Sequence, residues 1–255
     1  MTSPRTVLLP SPRSAESFPY AERSPRPVIA ALRALVCAAA VTGLVIDMAI
    51  GSPLRVLSYF TIQTNVLVAL AFGWSAYRSW KGGPPLSPRL TGGVLLFVTI
   101  TGLVYHLILA NGSGDFSMAD APGHTITGWR AVSNQLLHTV TPVAAALDWL
   151  LLTTPRTLRL RFVPAWLLFP LAYLAFALTR GALLSPGTEA RYPYPFLNVD
   201  AYSYTGVLIH ALALGLPFAA LATLLVGLDR IRPGLWGPPA PHRNRISPPA
   251  AGGLK

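Results

Sequence analysis

Six stretches of this chain, residues 28–50, 57–79, 91–110, 131–152, 162–184 and 205–228, stay apolar over about the 20 residues that a helix needs to cross a bilayer core. No other feature limits the fold as strongly, because a segment surrounded by lipid must satisfy its own backbone hydrogen bonds and therefore coils into a helix. The expected fold is all-α, a polytopic membrane bundle of six transmembrane helices. Composition agrees: the 255 residues are 52% hydrophobic and 11% charged, where ordinary soluble domains carry about 25% charged residues. Residues 28–228 are read as the transmembrane domain. Residues 1–27, rich in Ser, Pro and Arg, and residues 229–255, rich in Pro, Arg and Gly, are expected to be disordered cytoplasmic tails. The first apolar stretch exceeds the roughly 7 to 15 apolar residues of a signal peptide, so it is read as a span.

The charges orient the bundle. With the amino terminus in the cytoplasm, the inner segments hold Arg5, Arg13, Arg23, Arg26 and Arg33, then Arg78, Lys81 and Arg89, then Arg156, Arg159 and Arg161, then Arg230, Arg232, Arg243, Arg245 and Lys255. Only Arg55, Arg130, Arg180 and Arg191 fall outside, which is the bias of the positive-inside rule. The expected location is the cell membrane, multi-pass, with both termini cytoplasmic. Trp74, Trp80, Trp149 and Trp166 near the inner ends and Trp129 near an outer one fit interfacial belts. The net charge of +11 forms no continuous basic face with interleaved aromatics, so membrane lipids and no nucleic acid are the expected partners. Preference for Arg over Lys, with abundant Ala and Pro, fits a GC-rich bacterial genome. The single cysteine, Cys37, excludes an intrachain disulfide.

Orientation sets depth. His138 lies about seven residues, roughly 10 Å, below the outer end of the fourth span, and Thr61 and Thr64 lie roughly 6 to 10 Å below the same surface on the second. Ionisable groups at such depth usually face a bundle interior or a wet cavity, which makes His138 a functional candidate. Pro142 has no N–H to offer the carbonyl of His138 four residues back, so a kink is expected there. Asn134 shares the histidine's helix face and is expected to hold the ring or a substrate. His106, His210 and Asp47 are placed in the same outer layer. Asp148 is read as an anchor at the inner interface, solvated or paired with an arginine.

A threonine beside a neutral imidazole can give up its proton and attack an acyl carbon, and the imidazole can then protonate the leaving alkoxide. Donors for the oxyanion are sought in Asn65 and Asn134. Tyr59-Phe60-Thr61 at the head of the second span, the Asn134 to Thr139 segment, and Tyr194-Pro195-Phe196-Leu197 before the sixth span resemble the androgen-induced, FAR-type six-helix integral membrane proteins and their bacterial relatives. The resemblance covers the six-helix core and neither tail. Animal members of that family are hydrolases of fatty acid esters of hydroxy fatty acids that use an intramembrane threonine and histidine. Carried over by position, these are Thr61 and His138, with Thr64 a rival nucleophile three residues on. The resemblance implies a lipid ester as substrate and no cofactor.

Three other readings stay open at this stage. His106, His138 and His210, with Asp47 near, are a set that could bind zinc, though without the paired spacing of metal motifs. A small-molecule transporter would place polar residues in a bundle, but internal repeats and matched broken helices are not visible. A non-catalytic scaffold or sensor needs the same residues only as interhelical hydrogen bonds.

Overall fold

The computed structural model describes residues 24–110 and 127–234, and every regular element among them is helical. Helix α1 (Pro27–Ile50) is followed by the single turn α2 (Pro53–Val56), then α3 (Phe60–Trp80). Helix α4 (Pro88–Val104) runs on as a π-helical turn, Tyr105–Leu109. Helix α5 (Trp129–Gln135), a π-turn (Leu136–Val140) and α6 (Thr141–Leu152) follow one another without a break. A 3-10 turn (Leu160–Phe162) leads into α7 (Val163–Leu183), and a second (Pro195–Leu197) into α8 (Val199–Ile231). Local chemistry explains several starts. Proline occupies the first turn of α1, α2, α4 and α7, where a missing N–H costs nothing. Ser87 Oγ accepts the Leu90 N–H at 3.4 Å to cap α4, and Asn198 Oδ1 accepts the Asp200 N–H at 3.0 Å to cap α8.

Five helical segments are long and apolar enough to cross a membrane: Pro27–Ile50, Pro88–Leu109, Trp129–Leu152, Leu160–Leu183 and Val199–Ile231. The expectation of six meets a physical exception in α3, which has the length at 21 residues. Thr61, Gln63, Thr64, Asn65, Ser75 and Arg78 dilute its apolar character. Helix α3 makes the most extensive helix pair of the fold with α1, while Leu70, Trp74, Tyr77 and Trp80 on its other side are exposed. Its first two turns bury Thr61, Thr64 and Asn65.

Contacts between helix ends show that the rods alternate in direction. At one end, the Arg26 N–H reaches the Ser79 carbonyl at 2.8 Å, Arg33 meets Asp148 at 2.8 Å, and the Trp166 indole donates to the Arg89 carbonyl at 2.7 Å. At the other, Ser133 of α5 donates to Asp47 of α1, and Tyr194 reaches Thr61. Small residues let the rods close up. A Cβ on Gly102 of α4 would stand 3.1 Å from Pro142 Cβ, so a larger residue here requires the proline ring to give by a few tenths of an ångström.

Asp148 is paired, as one of its two expected roles required: Arg33 bridges it and also donates to Ser79 Oγ at 3.0 Å. The boundary of the carboxy-terminal tail needs correction. Asp229, expected to open the tail, is fully buried inside α8 and accepts the backbone N–H groups of Thr157 and Leu158 at 2.7 and 2.8 Å. Arg232 pairs with it at 2.8 Å and donates to the carbonyls of Leu150, Thr153 and Thr154. The end of α8 thus closes over the α6–α7 connection, and the tail residues 235–255, like residues 1–23, lie outside the described part.

Candidate functional site

Thr61 is the second residue of α3, and an N–H at this position has no carbonyl within its own helix to reach. The start is held from outside: Tyr173 of α7 donates its hydroxyl to the Ser58 carbonyl at 3.0 Å, and Ser58 donates to the Arg55 carbonyl at 2.6 Å. Tyr59 then takes extended backbone geometry and the first intrahelical bond runs from the Gln63 N–H to its carbonyl. The Thr61 N–H is met by the Tyr194 hydroxyl at 3.3 Å.

His138 arrives on the π-turn between α5 and α6. A π-turn widens the helix by one residue and shifts its hydrogen-bond register, and such turns recur at functional positions. Pro142 follows immediately, so the disturbance expected near it takes this form rather than a simple kink. The Leu137 carbonyl accepts from a side chain, Asn65 Nδ2 at 3.2 Å. The His138 ring is 1% exposed and lies stacked on Tyr105, centroids 4.3 Å apart.

The hydrogen bonds assign the protons. His138 Nδ1 is 3.1 Å from the Asn134 backbone carbonyl, which can only accept, so Nδ1 carries the hydrogen. Nε2 of the neutral ring is then an acceptor, and Thr61 Oγ1, 3.2 Å away, donates to it. With its own hydrogen committed, Thr61 Oγ1 accepts from the Tyr194 hydroxyl, also at 3.2 Å. The result is one directed chain from Tyr194 through Thr61 to His138 and on to the α5 backbone. Tyr194 stands in the segment between α7 and α8, and its burial pushes the phenol up to about 12, so the hydroxyl keeps its proton throughout the physiological range.

The other expected residues fall differently. Asn134 orients the ring with its main chain; its side-chain amide donates to the Tyr105 hydroxyl. Asn65 Nδ2 donates to the carbonyls of Thr61 and Leu137, and its Oδ1 accepts from Thr141. Both donors of the Asn65 amide are therefore engaged, and one of the two on Asn134 is. Thr64 is fully buried, and its hydroxyl has no hydrogen-bond partner among the described residues, His138 included. The histidines do not converge. His106 meets Thr139 at 3.0 Å and His210 meets the Phe196 carbonyl at 3.1 Å. Asp47 is held by Ser133. Among the described residues no three His, Cys, Asp or Glu side chains are grouped to hold a metal ion, which removes the geometry that the zinc reading required.

Beside Thr61 opens an apolar cavity of about 180 Å³ between α3, α4, α7 and α8. Phe60, Ile100, Leu171, Tyr173, Leu214 and Phe218 line it, and Thr61 and Tyr194 present the polar end. Leu171 of α7, one of the lining residues, is exposed on the outside of the bundle. Pro170 lies inside α7 and lines the cavity, and Pro217 lies inside α8, whose backbone leaves helical geometry at Ser203 (φ 58°).

Tyr194 and Tyr105 were not marked as site residues by depth or periodicity. Tyr105 sits at an ordinary place in an apolar run. Tyr194 lies between two spans, and the signals in its favour are its place in the Tyr194-Pro195-Phe196-Leu197 motif and the density of aromatics and prolines from Tyr192 to Phe196. No family model, curated protein or solved structure matches the chain.

Proposed function

We propose that this protein is a multi-pass membrane hydrolase of lipid esters in which Thr61 is the nucleophile and His138 the base. The observation that carries the reading is the 3.2 Å approach of Thr61 Oγ1 to a His138 Nε2 left as an acceptor by the bond on Nδ1. A hydroxyl, a base within hydrogen-bond reach and a third group orienting the base are the requirements of an activated nucleophile. The apolar cavity supports a lipid substrate, since an acyl chain that enters it from the bilayer exchanges one apolar surrounding for another. Five apolar helices support the membrane setting. The rest of the reading follows from the charge bias: α3 spans as the sixth helix within the bundle, both termini are cytoplasmic, and the site lies near the outer face of a bacterial cell membrane. The sequence resemblance to the FAR-type family points to the same pair of residues.

The reaction takes two halves. Thr61 Oγ1 forms a bond to the ester carbonyl carbon while its proton passes to His138 Nε2, and the carbonyl electron pair moves onto oxygen. Collapse breaks the bond to the alcohol oxygen, which leaves with the proton from His138. Water then attacks the acyl-threonine, giving its proton to Nε2, and collapse releases the fatty acid and returns that proton to Thr61. No metal or cofactor is required by any step.

The test is hydrolysis of long-chain esters by purified protein in detergent. Thr61→Ala and His138→Ala each lower the rate by at least about 10³-fold with the unfolding midpoint retained, and the double variant is no worse than either, because the pair acts as a unit. A scaffold or sensor, in which the same bonds only join helices, shows no ester turnover in the wild type. A transporter likewise shows none.

A further inference from the structure

We infer that Tyr194 is the oxyanion donor of this site, a conclusion that rests on the hydrolase reading above. The residue comes from outside the apolar spans, yet it is buried at 5% exposure and its hydroxyl touches two polar groups of Thr61: Oγ1 at 3.2 Å and the backbone N–H at 3.3 Å. Its placement is built. The ring meets Tyr59 edge to face at 5.5 Å, Tyr173 at 6.2 Å, and stacks on Phe196 at 5.2 Å with 4° between planes. Arg180 of α7 holds the segment that carries it through the Ala190 and Arg191 carbonyls, both at 2.8 Å.

Proton logic then gives the hydroxyl a role in the reaction. In the resting site the phenol donates to Thr61 Oγ1, because the hydrogen of Thr61 is committed to His138. Once Oγ1 bonds to the acyl carbon it becomes a poor acceptor, while full negative charge develops on an oxygen attached to the same carbon. The phenol hydrogen moves to that stronger acceptor by a small rotation. The Thr61 N–H, at the N-terminus of a 21-residue helix, is released from Tyr194 to become the second donor. The side-chain amides of Asn65 and Asn134 are not among the residues that line the cavity beside Thr61. Both Thr61 and Tyr194 line the cavity, so an ester carbonyl at its polar end meets nucleophile and donor together.

The experiment compares wild type with Tyr194→Phe, which keeps the ring and deletes the hydroxyl. Loss of one oxyanion donor lowers kcat by about 10² to 10³-fold. KM stays within about threefold, because the donor acts on the transition state and not on the bound ester. Affinity for a trifluoromethyl ketone analogue, which forms a tetrahedral adduct, falls in parallel with kcat, while affinity for the corresponding ether does not change. Should Tyr194→Phe unfold in detergent, 3-fluorotyrosine incorporated at position 194 keeps the hydroxyl and lowers its pKa, and kcat then changes without a change in KM. Wild-type kcat in Tyr194→Phe, parallel loss of ketone and ether affinity, or a kcat indifferent to the fluorinated ring overturns the assignment. If Thr61→Ala is dead and Tyr194→Phe fully active, the hydrolase stands and this role of Tyr194 falls; if the wild type does not turn over esters, both fall.

Discussion

The His138 imidazole is anchored by the backbone carbonyl of Asn134, four residues earlier, through an Nδ1 contact of 3.1 Å. A main-chain anchor fixes the tautomer without a carboxylate, and avoids placing a second charge in a desolvated site. It also makes the histidine's aim depend on the local backbone, which here is a π-turn that ends at Val140, two residues before Pro142. Pro142→Ala restores an N–H and lets the segment tighten to α-helical register. The expected outcome is a rate lowered by about 10 to 100-fold, the scale of a displacement near 1 Å, with thermal stability equal or higher. A wild-type rate in Pro142→Ala shows that the proline does not aim the ring.

Gly181 of α7 lies directly against the Tyr192 ring, where a Cβ would overlap it. The Tyr192 to Leu197 segment carries Tyr194, so crowding Gly181 displaces the hydroxyl from Thr61. Gly181→Ala is expected to cost about 1 to 3 kcal/mol of stability, as overpacking does, and to lower kcat more than it raises KM. Thermal unfolding and steady-state kinetics on the same preparation check this; lost stability with intact kcat uncouples the segment from the site.

Asp229 and Arg232 are a buried pair far from Thr61, at 0% and 6% exposure. Removing one partner strands the other charge, at a cost of about 3 to 5 kcal/mol. Asp229→Ala also strips two N–H groups of the α6–α7 connection of their acceptor. The unfolding midpoint of Asp229→Ala therefore falls steeply, while specific activity of the protein that remains folded is unchanged. A variant as stable as wild type contradicts the structural role given to this pair.

The Tyr194 phenol, raised to about 12 by burial, gives stability a defined pH window. Unfolded tyrosine titrates near 10. Between about pH 10 and 12 the folded chain binds more protons than the unfolded one at this residue, so its contribution to stability falls as pH rises through that window and is constant below it. Relative to Tyr194→Phe, the wild type should lose about 1 to 3 kcal/mol across the window. Loss beginning near pH 8 contradicts the buried, neutral phenol.

Depth arithmetic brought Thr61 and His138 to one level because both lie on helical spans, where residue number converts to distance along the axis even across the π-turn that carries His138. It also separated Thr61 from its surroundings only as far as helix and level. Which of Thr61 and Thr64 faces the histidine depends on rotation of α3 about its axis, and that is set by packing against α1. Asn65 and Asn134 shared the right level, but an amide's partners depend on backbone groups exposed by a π-turn that no spacing rule places. Tyr194 was hidden for a different reason: the segment between α7 and α8 folds back into the bundle, and hydropathy has no signal for re-entry. Asp229 and Arg232 looked like the polar start of a tail because a buried ion pair and a solvated one have the same composition. Membrane orientation rests on the arginine bias, and reporter fusions after Lys81 and after Gly187 are expected on opposite sides, the first cytoplasmic. The reverse result would invert the bundle without moving Thr61 from His138.

The most direct measurement of the central claim is the site of covalent capture. Purified protein is treated with a long-chain fluorophosphonate, digested, and the adduct located by mass spectrometry. The account predicts the adduct on the Thr61 peptide at Oγ1, lost in Thr61→Ala and His138→Ala and retained in Thr64→Ala. An adduct on Thr64, labelling of Thr61 that survives His138→Ala, or no adduct on the folded wild type contradicts it.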